Sequence, residues 1–62
     1  MTENQQQGQK FYTLPEVAEM LNLSHMTVYR YVRTRKLPAY KFGRHYRVSK
    51  DDLDSFISQK KV

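Results

Sequence analysis

The sequence predicts a mainly α fold carrying one small β-hairpin, in the order helix, turn, helix, hairpin, helix. Three observations carry that prediction. Apolar residues recur three and four positions apart in Leu14, Val17, Ala18 and Leu21, in Val28, Tyr31 and Val32, and in Leu53, Phe56 and Ile57. Such spacing gives a helix one buried stripe. Two alternating runs, Ala39 to Phe42 and His45 to Val48, flank Gly43-Arg44 as strands flank a tight turn. Asn22 and Pro38 stand where each of the first two helices must stop.

The chain has 62 residues, enough for one small domain. A domain of that size buries only about 60% of its unfolded surface, so its core is thin. With no cysteine, neither a disulfide nor a thiolate zinc site can reinforce it. His25 and His45 are far apart and have no carboxylate at ligand spacing, so no metal or other cofactor is expected. Eleven Lys and Arg against six Asp and Glu give a formal charge of +5. That excess points to a polyanionic partner. No apolar run approaches the roughly 20 residues of a membrane helix, and no signal-peptide pattern is present. The expected location is cytoplasmic, on the nucleoid, with no membrane partner.

Taken in order, residues 1–10 are polar and aperiodic and read as a disordered leader. The domain is expected over residues 11–59. Thr13-Leu14-Pro15-Glu16 has the form of a capping box, with Pro15 in the first turn where its missing N–H costs nothing. Helix one then runs to about Leu21. Asn22 tolerates the left-handed conformation that ends a helix. Leu23 can plug the corner, and Ser24 is a good N-cap for helix two. That helix is expected to end near Arg35-Lys36, where cations complement its dipole, and Pro38 biases Leu37 toward extended geometry.

In the hairpin, Gly43 can take the positive φ of the turn. Tyr40, Phe42, Tyr46 and Val48 are read as one face, packed on the helices. Lys41, His45 and Arg47 are read as the other, basic face. Ser49 is expected to cap helix three, with Asp51 and Asp52 in its first turn favouring the positive end of the dipole. Caps explain the cluster Asp51, Asp52 and Asp54 more simply than a magnesium site does. Residues 60–62 are a frayed end. No nucleophile, base and oxyanion arrangement supports an enzyme.

Helix two divides sharply. Val28, Tyr31 and Val32 face inward, while Met26, Arg30 and Arg33 face outward with Thr27 and Tyr29 beside them. A short helix that is apolar inside and basic outside suits a DNA major groove.

The segments Thr13-Leu14-Pro15-Glu16-Val17-Ala18-Glu19-Met20-Leu21, Ser24, Thr27-Val28-Tyr29-Arg30, Leu37-Pro38-Ala39-Tyr40, Gly43-Arg44-His45-Tyr46-Arg47-Val48 and Asp52-Leu53 together resemble the MerR-like winged helix-turn-helix of excisionase-family DNA-binding proteins. The likeness spans about residues 11–58. Its most specific part is the combination of T-V-Y-R, L-P-A and G-R-x-Y-R in one short span. It implies a winged helix-turn-helix with a two-stranded wing, helix two in the major groove, and the wing on the adjacent minor groove or backbone. By position, the groove-facing set is Ser24, Thr27, Tyr29, Arg30 and Arg33, to which His25 and Met26 at the front of the helix are added. The wing set is Lys41, Arg44, His45 and Arg47. Two positions depart from the family: Asn22 stands where Gly is frequent, and the tip is Arg44-His45 rather than two arginines. The second departure implies a weaker or pH-dependent phosphate contact.

The long dimerisation helix and effector domain of ligand-sensing MerR regulators do not follow helix three, so no small-molecule effector is expected. The resemblance implies an excisionase-like recombination directionality factor that binds and bends DNA near an attachment site. A small phage, plasmid or host transcriptional regulator is the alternative, and a protein-interaction adaptor a more distant one. The expected partners are double-stranded DNA, an integrase or recombinase, and further copies on DNA. Several residues keep two readings. Met26 is an apolar probe or a spare surface residue. Thr27 binds DNA or bonds within its own turn. Tyr29 touches a phosphate, a thymine methyl or a neighbouring chain. Arg35 and Lys36 cap the helix or bind phosphate. Arg47 binds DNA or pairs with an acid of helix one or three.

Overall fold

The computed structural model describes residues 10–62. Apart from Lys10, the expected leader lies outside the described residues. The elements are β1 (Phe11–Thr13), α1 (Leu14–Leu21), α2 (His25–Arg33), β2 (Tyr40–Phe42), β3 (His45–Ser49) and α3 (Lys50–Gln59).

Each helix begins on a hydroxyl cap. The Thr13 hydroxyl accepts from the Glu16 N–H at 3.1 Å, and the Thr13 N–H donates to the Glu16 carboxylate at 2.8 Å. Those are the two halves of the expected capping box. Ser24 accepts from the Thr27 N–H at 3.1 Å, and Ser49 from the Asp52 N–H at 3.0 Å. A cap of this kind contributes about 1 kcal/mol.

Both corners after α1 and α2 are closed by backbone bonds around a left-handed residue. Asn22 has φ 57°, its N–H donates to the Glu19 carbonyl, and the Leu23 N–H donates to the Ala18 carbonyl at 2.8 Å. This Schellman arrangement draws Leu23 against the core beside Ala18. The end of α2 corrects the expected boundary: the helix stops at Arg33, two residues early. Arg35 itself takes φ 64°, and the N–H groups of Arg35 and Lys36 turn back to the Val32 and Tyr31 carbonyls at 3.1 and 2.9 Å. Left-handed geometry costs a non-glycine residue roughly 1–2 kcal/mol. The turn delivers Leu37 into the core, 1% exposed. Burying a leucine contributes about 1.5–3 kcal/mol, so the corner is favourable on balance.

The sheet has three antiparallel strands in the order β1-β3-β2, one more than the expected two-stranded wing. Strand β1 pairs Phe11 with Ser49, Tyr12 with Val48 and Thr13 with Arg47. Three residues are too few to display a two-residue period, which is why the sequence does not announce the strand. The hairpin register pairs Phe42 with His45, Lys41 with Tyr46 and Tyr40 with Arg47. Gly43 takes φ +65° at the first position of its two-residue turn.

That register overturns the expected division of hairpin faces. Directly paired residues of an antiparallel ladder point the same way. Lys41 therefore shares the inner face with Tyr46, Val48 and Tyr12, whereas Tyr40 and Phe42 lie on the outer face with His45 and Arg47. Tyr40 and Phe42 are 51% and 53% exposed and do not pack on the helices.

The core consists of Val17, Ala18, Val28, Leu37, Val48, Leu53 and Phe56, with Tyr31 tilted against Phe56 at 5.5 Å. Ile57, expected inward, stays at the rim and is 43% exposed. No helix among the described residues is long and apolar enough to cross a membrane. Because Arg35 holds a left-handed conformation, Arg35→Gly should stabilise the domain by about 1 kcal/mol. Thermal denaturation followed by circular dichroism should then show a midpoint roughly 4–8 °C higher, and an unchanged or lower midpoint would contradict strain at this corner.

Candidate nucleic-acid interface

The segment from Asn22 to Lys50 contains no acidic residue. It holds Arg30, Arg33, Arg35, Lys36, Lys41, Arg44, Arg47 and Lys50, eight of the eleven cations. The described carboxylates serve elsewhere: Glu16 caps α1, and Asp51 and Asp52 sit in the first turn of α3. Among the described residues the ion pair is Lys50–Asp54 at 3.1 Å, within α3. The Asp54 carboxylate, by hydrogen bond and then by charge, holds the exposed Lys50 ammonium above its ordinary pKa. Among the described residues, no carboxylate forms an ion pair with the cations of α2 or the wing. No group of three or more His, Cys, Asp or Glu among the described residues converges to hold a metal ion.

On α2, Val28 is fully buried and Tyr31 and Val32 pack against the core. Arg30 and Arg33 are consequently exposed on the opposite side, together with Met26 at 65% and His25. Ser24 and Thr27 are engaged with one another. Their hydroxyls lie 2.9 Å apart, and Ser24 also accepts from the Thr27 N–H. The local reading of Thr27 therefore describes its bonding here.

Tyr29 has a role that spacing alone does not reveal. Its ring meets Tyr46 of β3 edge-on at 6.0 Å. The Arg33 guanidinium lies over the Tyr29 ring at 5.9 Å, and the Lys41 ammonium over the Tyr46 ring at 5.8 Å. Arg33, Tyr29, Tyr46 and Lys41 therefore form a ladder from helix to wing, with a cation at each end. Aromatic pairs of this geometry contribute about 0.5–1.5 kcal/mol beyond area burial. The ladder sets the spacing between the helix surface and the wing, and Tyr46 was not among the expected site residues.

The wing cations divide between two faces. Lys41 is on the helix side, Arg44 is exposed at the tip, and His45 and Arg47 are on the outer face. Arg47 is half-buried and donates to the Tyr46 carbonyl at 3.2 Å. This bond anchors it to its own strand, not to an acid of another element. A groove of about 720 Å³ separates the end of α2 from the wing, with Arg33 and Arg35 on one wall and Pro38 and Tyr46 on the other. Arg35 reaches this groove through its left-handed backbone, for which an arginine in the sequence gives no signal.

The helix-turn-helix domain family matches residues 11–61. The chain belongs to the helix-turn-helix domain family. In this helix-turn-helix protein α1 and α2 are the paired helices, and the sheet supplies the wing of a mainly α domain. An uncharacterized protein of Bacillus subtilis (strain 168), YvgK, is 44% identical over 45 residues, covering 73% of this chain and 15% of YvgK. A protein of Mycobacterium tuberculosis (strain ATCC 25618 / H37Rv), named "Putative DNA-binding protein", is 46% identical over 46 residues, covering 74% of this chain and 59% of its own. The chain therefore spans between about a seventh and three fifths of these relatives. No solved structure matches it.

The ladder can be tested without any ligand. In a double-mutant cycle on unfolding free energy, Tyr29→Ala and Tyr46→Ala should couple by about 0.5–1.5 kcal/mol. Strictly additive effects would show that helix and wing are held by other contacts.

Proposed function

We propose that this helix-turn-helix protein binds double-stranded DNA sequence-specifically and without catalysis, placing α2 in the major groove and the wing on the adjacent minor groove or backbone. The observation that carries the reading is the cationic surface shared by α2 and the wing, unpaired with any carboxylate among the described residues and joined by the Tyr29–Tyr46 contact. Arg30 and Arg33 read bases, since arginine to guanine is the commonest specific pairing. His25, Met26 and Tyr29 line the same surface, Ser24 and Thr27 fix its leading turn, and Lys41, Arg44, His45 and Arg47 serve the wing. Lys41 and Arg44 approach the duplex most directly, because they lie on the helix side and at the tip. The protein acts in the cytoplasm on the nucleoid.

The specific role proposed is that of an excisionase-like recombination directionality factor, bending DNA near an attachment site in concert with an integrase or further copies of itself. A compact domain with helix and wing contacts on adjacent grooves suits that task. A transcriptional regulator is the second reading. The matched stretch also occurs as a small part of the much longer Bacillus chain, as expected of a domain that can be carried within longer proteins.

Occupying about five phosphates should make the logarithm of the binding constant fall against the logarithm of salt with a slope of about −4 to −5. Affinity for duplex DNA that ignores salt would refute the interface. Arg30→Ala should lose about 1–3 kcal/mol of discrimination between preferred and random duplexes. Arg44→Ala should instead weaken all sequences to a similar degree. Energy transfer between dyes at the two ends of a bound duplex distinguishes the roles: an unbent duplex would count against the directionality factor while leaving DNA binding intact.

A further inference from the structure

Of the outer face of the sheet, the proposed duplex interface uses only His45 and Arg47 and leaves the aromatic residues there unused. Register places Phe11 and Thr13 of β1, Tyr40 and Phe42 of β2, and His45, Arg47 and Ser49 of β3 on it. Phe11 meets Tyr40 and Phe42 edge-on at 5.7 and 5.8 Å, and Tyr40 stacks along Phe42 at 6.3 Å. The three rings touch each other, yet they remain 40%, 51% and 53% exposed. Single exposed apolar residues are ordinary on a protein surface, whereas a contiguous cluster marks an interaction site. Among the described residues this face has no carboxylate, and Arg47 and His45 lie within it while Arg44 stands at its end.

We propose that this face is a stacking platform for unpaired bases of single-stranded nucleic acid. Open aromatic faces on a small antiparallel sheet, accompanied by cations for the backbone, are the elements by which proteins hold single strands. In a duplex the π-faces of bases are covered by their neighbours, so an intact double helix offers nothing for these rings to stack on. The charge argues for this occupant over a second copy. The face is cationic and the whole chain carries +5, so an identical chain is repelled where a polyanion is attracted. The wing tip borders both faces of the hairpin. A strand freed by local melting beside a bound duplex therefore lies within reach of the platform.

The test uses the full chain and three fluorescent probes: oligo(dT) of about twelve nucleotides, an abasic deoxyribose-phosphate oligomer of equal length, and a mixed-sequence duplex. The expected result is tighter binding of oligo(dT) than of the abasic oligomer, with quenching of tyrosine fluorescence. The double substitution Tyr40→Ser with Phe42→Ser should weaken oligo(dT) binding about tenfold or more, with duplex affinity within about twofold. Arg30→Ala should show the opposite pattern, so failure of the platform and failure of the duplex interface give different signatures. Should the serine variant unfold, Phe42→Leu keeps the apolar packing and removes the π-face, and it must still lower oligo(dT) affinity. Equal binding of the abasic oligomer would overturn the proposal, as would oligo(dT) affinity unmoved by the substitutions. Sedimentation showing a self-associated species that the serine variant abolishes would assign the face to a second copy and overturn it too.

Discussion

Strand β3 is where the molecule is held together. It is the middle strand, bonded on both sides. Its Val48 is fully buried in the core, its Tyr46 reaches α2, and its Ser49 caps α3. Five residues thus connect the wing to the core, to the exposed helix and to the last helix. A slip of one position would turn Val48 outward and Arg47 inward, because side chains alternate with period two. The bulk of Val48 and the polarity of Arg47 together oppose that slip.

The division of labour among charges follows from the small core. Among the described residues no polar or charged side chain is buried, so the domain avoids the cost of desolvating a charge. Three of the five described acidic side chains, Glu16, Asp51 and Asp52, lie in first helical turns, where the macrodipole favours them. Among the described residues the cations from Arg30 to Arg47 have no carboxylate partner, and Arg33 and Arg35 lie together along the α2–wing groove. Repulsion among like charges left this close opposes the compact state, and a bound polyanion offsets it.

How much of this was legible in the sequence depended on the range of each interaction. The Thr13, Ser24 and Ser49 caps act over three residues, and each was visible as a hydroxyl ahead of an apolar stripe. The outward set on α2 was likewise readable, since helical spacing fixes which side chains oppose Val28. The hairpin was visible but its faces were not. With a two-residue turn Phe42 opposes His45, so alternation does not carry straight across the turn, and the expected grouping of Lys41 with His45 and Arg47 failed for that reason. Strand β1, the early stop of α2 and the burial of Leu37 all depend on partners distant in sequence or on one arginine in an uncommon conformation. The Tyr29–Tyr46 contact joins residues on separate elements, which spacing within either one cannot disclose.

Helix α2 has nine residues, fewer than the 12–15 below which an isolated helix is marginal in water. Its outward side chains therefore have no fixed arrangement of their own; the hydrophobic contacts on its reverse side confer it. A selection for altered recognition would then return two kinds of lesion that look alike in a cell. One kind changes the exposed arginines, and the other, scattered through Val28, Leu37 and Val48, erases the surface by dissolving what stands behind it.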